Sequence, residues 1–201
     1  MAHPVRTRAL AALTFAAVLL GATPAQADVQ WSARYGFGFG AGQWGDEGAQ
    51  LGRTFLWENV LRVEALFGAP GDEHVRIGPA LDLRTARFDT AEAAGGVSLL
   101  LPVFRGYPIV LTAAAGYAKR RDPMPDGPIF VGTFAWGYRS YDFHGAYGLG
   151  LQVFVTSRVA LDDPARWEIT AGIEIDLEAM IAIPGAFFVS LFRRGPPDEP
   201  E

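Results

Sequence analysis

Four acids recur at even spacing near the end of the chain: Glu168, Glu174, Asp176 and Glu178. Carboxylates sharing a face can do general acid–base work or hold calcium. They can also do something plainer, which is to partner buried arginines. The second use is preferred, because unpaired buried acids are costly. A hydroxyl, an acid and an imidazole gather once, in Ser140-Tyr141-Asp142-Phe143-His144. These are the types used for nucleophilic hydrolysis, which requires the serine oxygen within hydrogen-bond reach of the ring. The segment reads instead as a polar turn flanked by aromatics, and no catalytic residue is assigned. In Gly36-Phe37-Gly38-Phe39-Gly40 the glycines alternate with aromatics. A phosphate-cradling loop would open a helix at that point, so nucleotide binding is not expected. After the first 27 residues the chain has two histidines, His74 and His144, and it has no cysteine. Neither histidine has a second ligand at zinc spacing, so no metal and no cofactor is expected.

The elements that position these residues are strands. Side chains on a strand point alternately to two faces. Trp31, Ala33, Tyr35, Phe37 and Phe39 take one face, and Gln30, Ser32, Arg34, Gly36, Gly38 and Gly40 the other. Trp167, Ile169, Ala171, Ile173, Ile175 and Leu177 alternate in the same way with Glu168, Thr170, Gly172, Glu174, Asp176 and Glu178. No helix separates those sets. The pattern predicts eight strands, at 29–41, 53–67, 74–87, 90–103, 108–120, 128–141, 145–157 and 166–178. Turn chemistry divides them, as at Gly68-Ala69-Pro70-Gly71 and Asp162-Asp163-Pro164. Connections at 42–52, 121–127 and 158–165 are the longer set. Those at 68–73, 104–107 and 142–144 are the short set, and a tight hairpin falls at 87–89.

The start of the chain has the order of a secretory signal. Arg6 and Arg8 precede an apolar run from Ala9 to Ala22, and Ala25-Gln26-Ala27 supplies a small-x-small cleavage element. Residues 1–27 are expected to be removed, leaving one domain that starts at Asp28. Losing Arg6 and Arg8 leaves 15 basic residues against 22 acidic and moves the formal charge from −5 to −7. An acidic exported chain is a poor partner for nucleic acid. Hydrophobic residues make up 50% and charged ones 19%, fewer charges than the usual quarter. Yet no later run of 18 apolar residues exists, so a helical membrane protein is not expected. The spanning structure that escapes such a scan is the β-barrel.

Alternation alone does not say which face is outside, since a soluble carrier barrel of the lipocalin type has the same period with its apolar face inward. Three features favour apolar outward. Aromatics on the apolar face fall toward strand ends: Trp31, Phe67, Tyr138 and Tyr147 at one, Phe39, Phe55, Trp57, Tyr117, Phe130 and Trp167 at the other. Membrane interfaces favour such belts. The polar face is rich in glycine (Gly36, Gly38, Gly40, Gly78, Gly96, Gly116, Gly148, Gly150, Gly172), read here as leaving room for long neighbours. That face also carries mixed charge. Strand phase points Arg34, Arg62, Arg76, Arg84, Arg120 and Arg139 inward with Glu58, Glu64, Asp82, Glu92, Glu168, Glu174, Asp176 and Glu178. Arginine's planar fork pairs carboxylates well, and lysine occurs once, at Lys119. A lumenal ionic network is expected.

On this pattern and length the chain resembles the small outer-membrane barrels of Gram-negative cells, of the OmpA-domain and OmpX type. The resemblance implies an antiparallel up-and-down barrel with termini in the periplasm and a side-chain-filled interior. It also implies outer-membrane lipid and the barrel-assembly machinery as partners. A structural or surface role follows, with minor solute passage if the lumen is incompletely filled. Some barrels of this size modify lipid, which would recruit Ser140 and His144, but no His-x-Ser-Asn-like element is present. One departure is that such barrels usually end on an aromatic residue, whereas here more chain follows. Residues 179–194 carry Met180, Ile181, Ile183, Phe187, Phe188, Val189, Leu191 and Phe192, broken at Pro184-Gly185. They are expected as an apolar segment at the barrel rim, the reading that keeps the strand count even; the alternative makes Phe187–Phe192 the last strand. Residues 195–201 read as a disordered tail.

Overall fold

The computed structural model describes residues 28–44, 52–69, 74–104, 106–121, 125–139 and 150–177. The leader, Ser140, His144, Tyr147, Gly148, Glu178, the apolar segment 179–194 and the tail 195–201 lie outside the described residues.

Alternating sequence becomes alternating burial. Along β3 (Arg76–Ala86) inward Arg76, Gly78, Ala80, Asp82 and Arg84 are buried, while Ile77, Pro79, Leu81 and Leu83 between them are exposed. The same holds around β1 (Asp28–Trp44), β2 (Gly52–Gly68), β4 (Thr90–Phe104), β5 (Tyr107–Arg120), β6 (Gly127–Tyr138), β7 (Leu151–Ala160) and β8 (Trp167–Asp176). Each strand pairs antiparallel with the next, and β8 pairs with β1, closing an up-and-down barrel. Closure is reached by Trp167–Asp176, so Phe187–Phe192 is not needed as the last strand.

The register fixes the shape. Stepping sideways through paired residues from Ala33 leads by way of Val63, Leu81, Gly95, Ala115, Phe130, Val159 and Trp167 back to β1 at Gln43. The circuit returns ten residues along the strand (43 minus 33), a shear of ten on eight strands. With ordinary strand spacing this gives a tilt of about 41° and a backbone radius of about 8 Å. That is a bore only side chains can fill. Ten-residue strands such as β7 and β8 then rise about 25 Å along the axis.

Strong coiling in so narrow a barrel brings backbones close, and this changes the reading of the inner glycines. A Cβ on Gly36 or Gly38 would meet side chains, Val60 and Phe154, so these two do leave room. At Gly40, Gly78, Gly96, Gly116 and Gly172 it would instead lie 1.8–2.1 Å from a carbonyl oxygen of the adjacent strand. Those five are required by the curvature of the wall.

Strand ends shift where alternation had no clear stop. β6 ends at Tyr138 rather than 141. β7 runs Leu151–Ala160, three residues past the expected end at 157, and the expected turn at 142–144 lies outside the described residues. The β3–β4 hairpin is tight as expected, with Arg87 and Phe88 both at positive φ (48° and 57°) and the Asp89 amide donating to Ala86 O at 3.0 Å. Two successive residues at positive φ match the mirror-image turns that suit strand twist, here without glycine.

Candidate functional site

The inner wall is where charge collects. Among the described residues, seven buried arginines (Arg34, Arg62, Arg76, Arg84, Arg120, Arg139, Arg158) face seven buried carboxylates (Glu58, Glu64, Asp82, Glu92, Glu168, Glu174, Asp176). Equal numbers leave the described lumen formally neutral. Strand phase pointed thirteen of these fourteen inward, and the structure buries all thirteen.

Arg158 was missed, because β7 was ended one residue too early. The signal was present: Gln152, Phe154, Thr156, Arg158 and Ala160 continue the inward phase without a break.

The pairs form one connected chain. At the end holding the termini, Glu64 is ion-paired with Arg139 and accepts from Arg34 Nη2 at 2.8 Å. Arg34 also reaches Gln152 and Glu174, and Glu174 accepts from Arg62 Nη1 at 2.7 Å. Arg62 continues to Asp82 at 2.8 Å and lies 5.9 Å from the Phe154 ring centroid. Asp82 is 3.9 Å from Arg158, which leads into the far half. There Glu58 accepts from Arg84, from Arg158 Nη1 at 2.9 Å and from Thr170 Oγ1 at 2.7 Å. Glu92 lies 2.9 Å from Arg84 and 3.1 Å from Arg158, with Arg120 at 3.9 Å, and Glu168 lies 2.6 Å from Arg84. Arg76 donates to Gln30 at 2.9 Å, and Asp176 stands opposite Arg34 in register. Four of the seven forks, those of Arg34, Arg62, Arg84 and Arg158, span two or more acids, a use lysine's point charge serves poorly.

Between the charges are hydroxyl pairs, Ser98 with Thr112 at 2.6 Å and Thr133 with Thr156 at 3.0 Å. Two apolar clusters complete the filling, one around Leu66, Leu100 and Phe154, the other of Ala94, Ala114, Ala118, Ile129 and Val131. No protein-family model, curated protein or solved structure matches the chain. Its chemistry is therefore read from its own side chains. A lumen of interlocked forks and carboxylates can hold the charged strands in one register, since slipping any of them by one residue would turn its charges outward. Among the described residues no group of three or more His, Asp or Glu is arranged to hold a metal.

The outer wall is the inverse. Outward positions from Phe55 to Phe67 on β2, and those on β1, β3, β4 and β6–β8, carry apolar residues with occasional Thr, Ser, Asn, Gln and Gly, and none of these is charged. Trp31 (58% exposed) and Tyr138 project near the termini, and Phe67 is half-buried at the same level. Phe39, Phe55 (64%), Tyr117 and Phe130 project toward the opposite rim, with Trp57 and Trp167 half-buried there. Phe104, Tyr107 and Trp136 add to the first set and Phe88 to the second. Tyr107 and Trp136 were legible from strand phase and went unnamed. Phe88 sits on the hairpin, where phase gives no signal.

Proposed function

We propose that this chain is an outer-membrane barrel whose ionic interior is structural, and that its work is done by its presence and surface in the membrane. The observation that carries the reading is the inversion of the wall. Fourteen ionised side chains are inside, while large apolar side chains from every strand are exposed outside. In water that distribution leaves an apolar patch far beyond what a soluble monomer tolerates; in lipid it is the expected one. A strand rise of about 25 Å also suits the apolar band of such barrels. Export by a cleaved leader, insertion by the barrel-assembly machinery and contact with outer-membrane lipid belong to the same proposal. A role as a carrier of an apolar ligand fits poorly, because arginines and carboxylates occupy the wall that such a ligand would need. Lipid hydrolysis would rest on Ser140 and His144, for which the described residues provide no support.

The test is fractionation with gel mobility before and after boiling. The expected result is outer-membrane recovery and a band that shifts on heating, as a detergent-resistant barrel does. A soluble periplasmic protein without a heat shift overturns the proposal. Reconstituted in planar bilayers, the filled lumen is expected to give only small or no conductance.

A further inference from the structure

One stretch of the outer wall departs from its own rule. Lys119 is charged and exposed on the outward face of β5, and Arg53 of β2 has the outward phase at the same rim. It lies at the last turn of β5, at the rim away from the termini, opposite Ala91 in register. Arg121 has the same phase, is exposed, and donates its backbone amide to Asp89 O at 3.0 Å, which fixes it beside the β3–β4 hairpin. Arg87 of that hairpin is already engaged by Asp89 at 3.1 Å. Asp126, beyond the end of β5, accepts the Arg120 amide at its Oδ1 at 2.6 Å. Among the described residues no carboxylate pairs with Lys119 or Arg121. Two further described acids at this rim, Asp162 and Asp163 of the β7–β8 turn, are answered by Arg166. Flanking rings stand at the same level. Phe88, 79% exposed, packs edge-on against Trp57 at 4.8 Å, and Tyr117 is 55% exposed two residues below Lys119. The rim holding the termini has no exposed cation among its described outward side chains.

We propose that Lys119 and Arg121 bind the phosphate of a phosphorylated lipid in the leaflet at this rim. This rests on the membrane reading above. Two cations whose side chains have no partner among the described residues, facing the lipid side beside interfacial rings, match an anionic headgroup held at headgroup depth, with its acyl chains against the apolar wall below. A cation facing lipid is costly unless it reaches the interface or an anion, and the rim position supplies both.

The experiment compares the wild-type protein with a Lys119→Gln/Arg121→Gln double variant and with Arg166→Gln, each folded into phosphatidylcholine vesicles. Heat-shifted mobility scores insertion. Spin-labelled phosphatidic acid then competes with spin-labelled phosphatidylcholine for the motionally restricted shell. The expected result is selectivity for phosphatidic acid in the wild-type protein and in Arg166→Gln. The double variant should lose it by about tenfold, from the usual worth of a cation near an anionic surface. Inserted wild-type protein with no selectivity overturns the lipid site and leaves the membrane reading standing. Equal loss in Arg166→Gln overturns it too, as it would show only diffuse charge. Displacement by inorganic phosphate would overturn the assignment to lipid. Failure of the wild-type protein to insert removes both readings together.

Discussion

The inner wall has two unlike halves. On β1–β3, β7 and β8 the inward positions carry most of the charge, among them Arg34, Glu58, Arg62, Glu64, Asp82, Arg84, Arg158, Glu168 and Glu174. On β5 and β6 they read Val110, Thr112, Ala114, Gly116, Ala118, then Gly127, Ile129, Val131, Thr133, Ala135, with no charge until Arg120 at the rim. The two halves depend on each other. An arginine fork must cross the bore to reach its acids, so the facing wall has to be small and apolar. A bore lined by arginines all round would not close at a radius of about 8 Å. The charged half thus specifies register through directional pairs, and the apolar half supplies contact without direction. Mutations in the two halves should therefore differ in size and in how they can be rescued.

The largest difference is expected at Glu58, which accepts from Arg84, Arg158 and Thr170. Glu58→Ala leaves two buried guanidiniums short of an acceptor, and removing one partner of a buried ion pair costs about 3–5 kcal/mol. Urea unfolding of the reconstituted protein, followed by tryptophan fluorescence, should show that loss. Glu58→Gln should recover part of it, because its amide oxygen can still accept from a guanidinium while Arg84 and Arg158 stay in place for Glu92 and Glu168. If Glu58→Ala were near wild type, the ionic half would not be what holds the register.

A smaller effect should ignore the division between halves. Gly172 on β8 and Gly116 on β5 lie in opposite arcs, yet a Cβ on either would come within 2.1 Å or 2.0 Å of a neighbouring carbonyl oxygen (Phe37 and Ala93). The wall must then shift, at the roughly 1–3 kcal/mol typical of overpacking. Gly172→Ala and Gly116→Ala should lower the urea midpoint alike. A large effect at one and none at the other would mean that curvature is not shared evenly around the barrel.

Much of this could be read from the chain because period two is the most robust of sequence signals. Arg34, Arg62 and Asp82 announce their face by phase alone, and so do their outward neighbours Tyr35, Leu61 and Leu83. Phase carries no information on where a strand stops. Hence the expected end of β7 at 157 falls one residue short of Arg158. The glycines show a different limit. Gly36 and Gly172 look identical in sequence, but one yields space to Val60 and Phe154 while the other yields to a backbone. Only the register decides which. Partner choice is equally silent: that Arg62 meets both Asp82 and Glu174, 20 and 112 residues away, follows from closure of β8 on β1.

The smallest expected effect lies wholly in the apolar half. Ile129, on β6, is fully buried and packs with Ala94, Ala114, Ala118 and Val131. Ile129→Val removes one methylene and leaves every ion pair in place, for a cost of about 0.5–1.5 kcal/mol. The loss should appear as a modest drop in urea midpoint with no change in the slope of the transition, since the surface exposed on unfolding is unchanged. It should also add independently to the cost of Glu58→Ala, because the partners of Glu58 (Arg84, Arg158 and Thr170) are not the residues Ile129 packs with, and independent sites combine additively. A double-mutant cycle reads this directly. Additivity would mean that the apolar half acts as passive filling. A coupling as large as the Ile129→Val effect itself would mean that its packing presses the arginine forks onto their acids, and the two halves would then be one mechanical unit.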